Sequence, residues 1–472
     1  MMPADTATSV ACAVLILALA GGQAPAATLH VDPNDPAAFT TIQEAIDAAY
    51  DFDIIEVHPG VYREHIDYHG AMVTVTGIDA NDPAVVESTI IDGGDTGSVV
   101  MFHNAEGSHS ILRGLTIRKG QNGIQCSGAG VSPLIAKCRV VSNTSAGIVC
   151  SLASPTITET IVEDNNSVGI SGSLGEIGVC RICTNGSNKN GDAGLANCGG
   201  LVLGCVISAN KGDGVYDHAG TVKNCLISAN LKSGFYFTVT CGCNITNCTI
   251  VGNKNGAVVF FPQKAYVSFG ITNSIIVLNE GFGFYIRDPG VQRFWTLHVD
   301  WSNVWGNISG ECGGNLNPTV IAIQFGPDTV RQDPLFAKRG YWDASGVWHE
   351  GEYHLKSTLG RWDPRSATWV TDPADSPCLD RGDPASAFLD EPSPNGGKIN
   401  MGAYGGTAEA SKSPGGASCL EYPAMDFNHD CKVDQTDLDI FVQHWLECGL
   451  DPNDACWPGG TPKPPVLPNV PL

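Results

Sequence analysis

Basic side chains are scarce: 26 Lys and Arg stand against 49 Asp and Glu, a formal charge of −23. With so little to offset phosphate charge, nucleic acid is excluded as a partner. Acidic polysaccharides meet the same repulsion unless Ca2+ or a local basic patch intervenes, whereas neutral glycans do not. Long apolar runs are missing after residue 20, and no later stretch approaches the roughly 20 residues that span a bilayer. No membrane span is therefore expected in the mature chain. An even set of exported cysteines is missing too, since 18 less Cys12 of the leader leaves 17. A complete disulfide framework is excluded, and at least one thiol stays unpaired or pairs between chains.

What is present begins with an export signal over residues 1–27. Residues 10–20 (VACAVLILALA) form a short apolar run followed by small residues ending Ala24-Pro25-Ala26-Ala27, with cleavage expected after Ala26 or Ala27. The segment before the run carries Asp5 and no Lys or Arg. An uncleaved anchor is the alternative, and the run is short for it. The mature protein is expected outside the cell or on its surface.

From about residue 112 to 287 the chain repeats a unit, x-(Ile/Val)-x-x-Asn, then a Gly and a second short strand. It reads CRVVSN from Cys138, TIVEDN from Thr160, CRICTN from Cys180, CVISAN from Cys205, CLISAN from Cys225, CTIVGN from Cys248 and SIIVLN from Ser274. The asparagines Asn143, Asn165, Asn185, Asn210, Asn230, Asn253 and Asn279 recur every 20 to 26 residues. That variation excludes a strict helical repeat and fits stacked coils with loops of unequal length. Coils stack about 4.8 Å apart, so one position makes a ladder. The asparagines are expected to bond amide to amide up the stack. Cys138, Cys180, Cys205, Cys225 and Cys248 are expected to point inward as small, reduced hydrophobes, with Cys126 and Cys150 as a second column, although the coil spacing alone permits a disulfide. Ahead of the coils, Thr41-Ile42-Gln43-Glu44 is a capping box, and Ile42, Ala45, Ile46 and Ala49 give a short amphipathic helix suited to cap the open bore.

The opening TIQEAIDAAYDFDIIEVHPGVY and the C-x-I-x-x-N coils resemble the right-handed parallel β-helix superfamily that includes pectate lyases, over roughly residues 28–300. The resemblance implies an all-β, single-stranded parallel β-helix (solenoid) over 28–410 with an N-terminal capping helix, in a polysaccharide context. Residues 333–406, with DPLF, GEYHLKS, SPCLDRGDP and NMGAYGG, are similar to closing coils of secreted members.

Residues 411–418 read as a linker, 419–457 as a small α module, and 458–472 as a disordered proline-rich tail. In the module, Asp426, Asn428, Asp430, Asp434 and Asp437 fall at positions 1, 3, 5, 9 and 12 of a calcium loop, with the Lys432 carbonyl at position 7. A helix bearing Leu438, Phe441, Val442 and Trp445 on one face follows. The segment resembles a single type I dockerin repeat, which implies bound Ca2+ and a cohesin-like or cell-surface partner. Cys431 replaces the usual turn glycine, and residues 450–456 match a second loop poorly. A solvated acidic loop without metal is the plainer alternative.

On the coils, Tyr216, Tyr236 and Tyr285 sit two residues after the turn glycine, where an outward ladder would form a platform for sugar rings, unless the rings pack beneath loops. Asp213, Asp217 and His218 form an acid–base cluster in sequence, against which stands the ordinary use of Asp in turns. Arg139 and Arg181 suit either a uronate carboxylate or plain surface charge. The similar segments 342–348 and 362–369 (WDASGVW and WDPRSATW) suggest two aromatic hairpins that bind glycan or cover the last coil. The paired-Asp and Gly-His-Gly signatures of polygalacturonases and an evident pectate-lyase calcium constellation are missing. Two readings follow: a lyase or glycoside hydrolase working along one face, or a non-catalytic adhesion protein using the coils as a rigid glycan-binding spacer.

Overall fold

The computed structural model describes residues 26–238, 242–260, 268–286, 295–314 and 321–414, with the single residues Met425, Val433, Leu438 and Phe441. The export signal up to residue 25, the calcium ligands Asp426, Asn428, Asp430, Lys432, Asp434 and Asp437, and the proline-rich tail lie outside the described residues.

Each coil adds one strand to each of three parallel sheets. Sheet A runs from Thr28–Val31 to Ile321–Phe325 with 13 strands. Sheet B runs from Gly60–Tyr62 to Asn303–Trp305 and sheet C from Ile66–Asp67 to Cys312–Gly314, each with 11 strands. This is the parallel β-helix that the repeat implied. The middle residue of each short strand faces inward, and the register stacks like on like: Ile135 on Ile157 in sheet A, Val140 on Val162 in sheet B, Ile124 on Ile148 in sheet C, all fully buried. One continuous apolar core results. The helix Ile42–Ala48 starts at Thr41, whose hydroxyl accepts the Glu44 N–H, and it adds Ile42, Ala45 and Ile46 to that core.

Between sheets B and C the backbone turns through a single left-handed residue: Ser142, Asp164, Thr184, Ala209 and Ala229 have φ of 56°, 51°, 57°, 54° and 55°. A side chain in that region costs about 1–2 kcal/mol. The asparagine that follows offsets it. The Asn210 carboxamide oxygen accepts from the backbone N–H (3.1 Å) and side-chain Nδ2 (3.2 Å) of Asn185, while its own Nδ2 donates to Ile182 O (3.1 Å) and Asn230 Oδ1 (2.9 Å). The same bonds link Asn143 through Asn279, and the ladder goes on to Asn307, one rung further than the repeat suggested. The recurring turn glycine makes room for it: a Cβ on Gly214 would lie 2.8 Å from Asn230 Nδ2.

Cys138, Cys180, Cys205, Cys225 and Cys248 are buried and carry free thiols, as do Cys126 and Cys150, which pair in register. The column is a hydrogen-bonded one. Sγ of Cys205 accepts the Cys180 N–H (3.4 Å) and Sγ of Cys225 accepts that of Cys205 (3.3 Å), and where a hydroxyl replaces the thiol, Thr160 serves Cys138 (3.3 Å) and Ser274 serves Cys248 (3.1 Å).

The expectation of closing coils over 333–406 is corrected. These residues lie along the flank of the solenoid, outside sheet B, as antiparallel hairpins and loops. The outward residues of sheet B explain where. Its early strands present ion-paired Arg118 and Arg139, whereas later strands present Leu226, Val251, Ile275 and Val277, which join Phe336, Tyr353, Leu355, Cys378 and Met401 in a second core. The corner residues Asn224, Asn247 and Asn273 tie the segment down. Asn224 Nδ2 donates to Ala403 O (3.0 Å) and Gly405 O (2.7 Å), Asn247 Nδ2 to Asn400 O (3.1 Å), and Asn273 Nδ2 to Ser386 Oγ (3.0 Å).

Candidate carbohydrate-binding face

Tyr216 and Tyr236 end their inward–outward alternation on sheet C pointing away from the core, since Val215 and Phe235 beside them are fully buried. The register places the two rings on successive coils, with centroids 5.6 Å apart and planes within 11°. Parallel rings at that separation are offset rather than superposed. Both rings are half-buried. Tyr285 does not extend the pair as the sequence suggested. The coil between carries Val259 at the matching position, and Tyr285 stacks instead on Phe282 of its own strand, 5.8 Å away at 24°. The sheet C face thus holds two separate aromatic patches, one coil apart.

The acid–base cluster read from KGDGVYDH is not assembled. His218 lies in the core, fully buried, and desolvation holds its imidazole down at about 4. Asp217 is buried and takes hydrogen bonds from the backbone and hydroxyl of Thr238 on the next coil. Asp213 is buried and accepts the Ser233 N–H at 2.8 Å; burial pushes its carboxyl up to about 6. Each carboxylate stitches neighbouring coils together. A period-based reading could not separate these roles, because Asp213, Gly214 and Val215 are all buried and the alternation of the strand is lost there.

Arg139 forms a close ion pair with Glu163 (2.6 Å) on sheet B, while Arg181 is exposed. Beside Arg139 the helix Pro83–Ser88, which the sequence reading missed, walls a groove of about 380 Å³. Its Lys137 is occupied by Asn81 Oδ1 (2.6 Å) and Glu159 (3.4 Å). The cations here are largely neutralised by neighbours.

Both tryptophan segments are hairpins, with cross-strand pairs Trp342–Trp348 and Trp362–Trp369. The first is a flank anchor. Trp348 lies flat on Gly252, where a Cβ would come within 2.2 Å of the ring, and the Trp342 indole N–H donates to Leu278 O (2.9 Å). The second leaves both rings half-buried, with the Lys412 ammonium 4.4 Å above Trp369. A buried ionic network not foreseen in GEYHLKS holds this region: His354 sits between Glu352 and Glu409 and stacks on Tyr404, and Arg361 bridges Glu352 (3.1 Å) and Asp372 (3.0 Å).

A family model described as "Right handed beta helix region" matches residues 180–269. Similar solved structures include pectate lyase Pel9A, at 15% identity over 80% of this chain and 96% of that one, with a TM-score of 0.49. The PL6 family alginate lyase AlyGC is 12% identical over 74% of this chain and 57% of that one, with a TM-score of 0.39. The Azotobacter vinelandii mannuronan C-5 epimerase AlgE6 A-module is 15% identical over 62% of this chain and 94% of that one, with a TM-score of 0.34. No curated protein matches in sequence. Among the described residues, no helix is long and apolar enough to cross a membrane.

Proposed function

We propose that this chain binds extracellular polysaccharide along sheet C, with Tyr216 and Tyr236 as the contact residues. The observation that carries the reading is the offset, parallel ring pair on two rigid neighbouring strands. Sugar rings pack their C–H faces on such surfaces, and the phenol edges meet hydroxyls. The charge of −23 favours a neutral glycan. Binding is preferred to bond cleavage because Asp213 and Asp217 are committed to neighbouring coils and His218 is in the core. In this reading residues 1–27 export the chain, and the loop of Asp426 to Asp437 binds Ca2+ and presents the module to a cohesin-like or cell-surface partner.

A glycan panel tests it. Tyr216→Ala and Tyr236→Ala should each weaken the best glycan about tenfold, the loss of about 1.4 kcal/mol, with an unchanged circular dichroism spectrum. Unsaturated-product absorbance and reducing ends should not rise during incubation. If both variants bind as the parent does, sheet C is not the site.

A further inference from the structure

We propose that His30, Glu56 and His58 form a site for a divalent transition metal of the Zn2+ class, at the N-terminal edge of sheet A. Strands Thr28–Val31 and Ile54–Val57 run side by side with His30 opposite Glu56. Val31, Ile55 and Val57 are fully buried, so the residues alternating with them face out. Continuing the same register sets Asp32 beside His58. The outer surface therefore carries a two-by-two grid of His30 and Asp32 against Glu56 and His58.

Within the grid, His30 Nδ1 lies 3.2 Å from Glu56 Oε1, and His58 Nε2 lies 3.9 Å from the same oxygen. One ligand atom from each of the three residues falls within 4.8 Å of the others. Tetrahedral zinc with bonds of about 2.0–2.2 Å needs its ligand atoms roughly 3.3–3.5 Å apart. Small rotations of these solvent-facing side chains close that gap. Two imidazoles and one carboxylate suit zinc, cobalt or nickel rather than calcium or magnesium, and leave a coordination position open.

Two further features fit a metal centre better than a chance ion pair. The second nitrogen of His58, Nδ1, faces Asp32 Oδ2 at 3.7 Å, and the other oxygen of Asp32 is held by Asn34 N (2.9 Å) and Nδ2 (3.2 Å). A metal-bound histidine almost always has a carboxylate, a backbone carbonyl or a water on its far nitrogen, and Asp32 is placed to be that group. Below the grid, the Tyr62 hydroxyl bonds to the carbonyls of both Val31 (3.1 Å) and His58 (2.8 Å), fixing the two strands relative to each other. The other His-rich group, Asp67 with His69 and His103, differs. There His103 bonds directly to Asp67 Oδ2 at 2.7 Å and Oδ1 takes the His69 N–H at 2.9 Å, so the carboxylate is already engaged. Among the described residues Thr28–Val31 is the terminal strand of sheet A, with the single bridge residue Phe39 on its other edge, so a bound ion would clip a terminal strand to the coil behind it.

The test uses the full chain, stripped with a chelator, desalted, and kept in excess Ca2+ to fill any hard-cation site. Titration with Zn2+ should show one more equivalent in the parent than in the His30→Ala, His58→Ala double variant, and Zn2+ should raise the melting temperature of the parent alone. Co2+ should give the intense visible bands of a tetrahedral centre in the parent and not in the double variant. Asp32→Asn should keep the stoichiometry but weaken affinity roughly ten- to a hundredfold. His103→Ala should change nothing. Equal stoichiometry and affinity in parent and double variant, or loss with His103→Ala instead, overturns the assignment.

Discussion

Asp213 shows how a single carboxyl can serve assembly at a cost in stability. Its ordinary pKa is 3.8 and burial raises it to about 6. The folded state therefore holds the proton between about pH 4 and 6, where the unfolded chain has lost it. The stabilisation from that proton is full below pH 4 and gone above pH 6. Asp213→Asn keeps an oxygen for the Ser233 N–H and removes the buried charge. It should be more stable than the parent at pH 7.5, by about 3 kcal/mol at most, and indistinguishable at pH 3.5, as read by urea melts. A parent-like difference at both pH values would show that water reaches the carboxyl. The ladder asparagines are the opposite case, neutral groups whose every bond is internal. Asn210→Ala leaves the buried Asn185 N–H without its acceptor and removes one bond each from Asn185 Nδ2, Ile182 O and Asn230 Oδ1, and should cost on the order of 3 kcal/mol. Asn166→Ala, on an exposed neighbour, should stay within about 0.5 kcal/mol.

Among elements, the hairpin of Tyr341–Trp342 with Trp348–His349 has the clearest load, because the Trp348 ring fills the space over Gly252 and its partner caps Leu278 O. Trp348→Ala should loosen the flank segment while leaving the coils intact. Limited proteolysis should then cut between residues 333 and 413 several-fold faster than in the parent, with a fragment that holds all the coils through Ile321–Phe325 persisting. The coils themselves were legible in the sequence, since Cys138 to Asn279 repeat a pattern whose inward and outward positions follow from strand geometry. SNVWGN from Ser302 carries the same pattern and holds the last rung, Asn307, but it stands 28 residues beyond Asn279, outside the spacing range. The flank was not legible. Its bonds join residues such as Asn247 and Asn400, 153 positions apart, and its loops have no period to read. The aromatic pair was legible and its third member was not, because Val259 interrupts a column that only the register reveals. The His30–Glu56 pairing likewise depends on which strands lie side by side.

At the scale of the whole molecule, an acidic chain carries a segment, residues 426–437, whose proposed Ca2+ ligands are themselves acidic. Ca2+ should be taken up by the full chain with a dissociation constant of roughly 10⁻⁴ to 10⁻³ M, weak because Cys431 stands where a turn glycine is usual. Calorimetry on the full chain should lose that heat in Asp430→Ala, and equal heats would leave the loop as a solvated acidic turn. The flank segment also divides the solenoid. Its bonds to Asn224, Asn247, Asn273 and Asn303 fall on four successive coils, and among the described residues no such lashing reaches the coils before them. Stretched along its axis, the protein would behave as two springs in series: the early coils paying out one at a time like thread from a spool, the four lashed coils holding until they give way together.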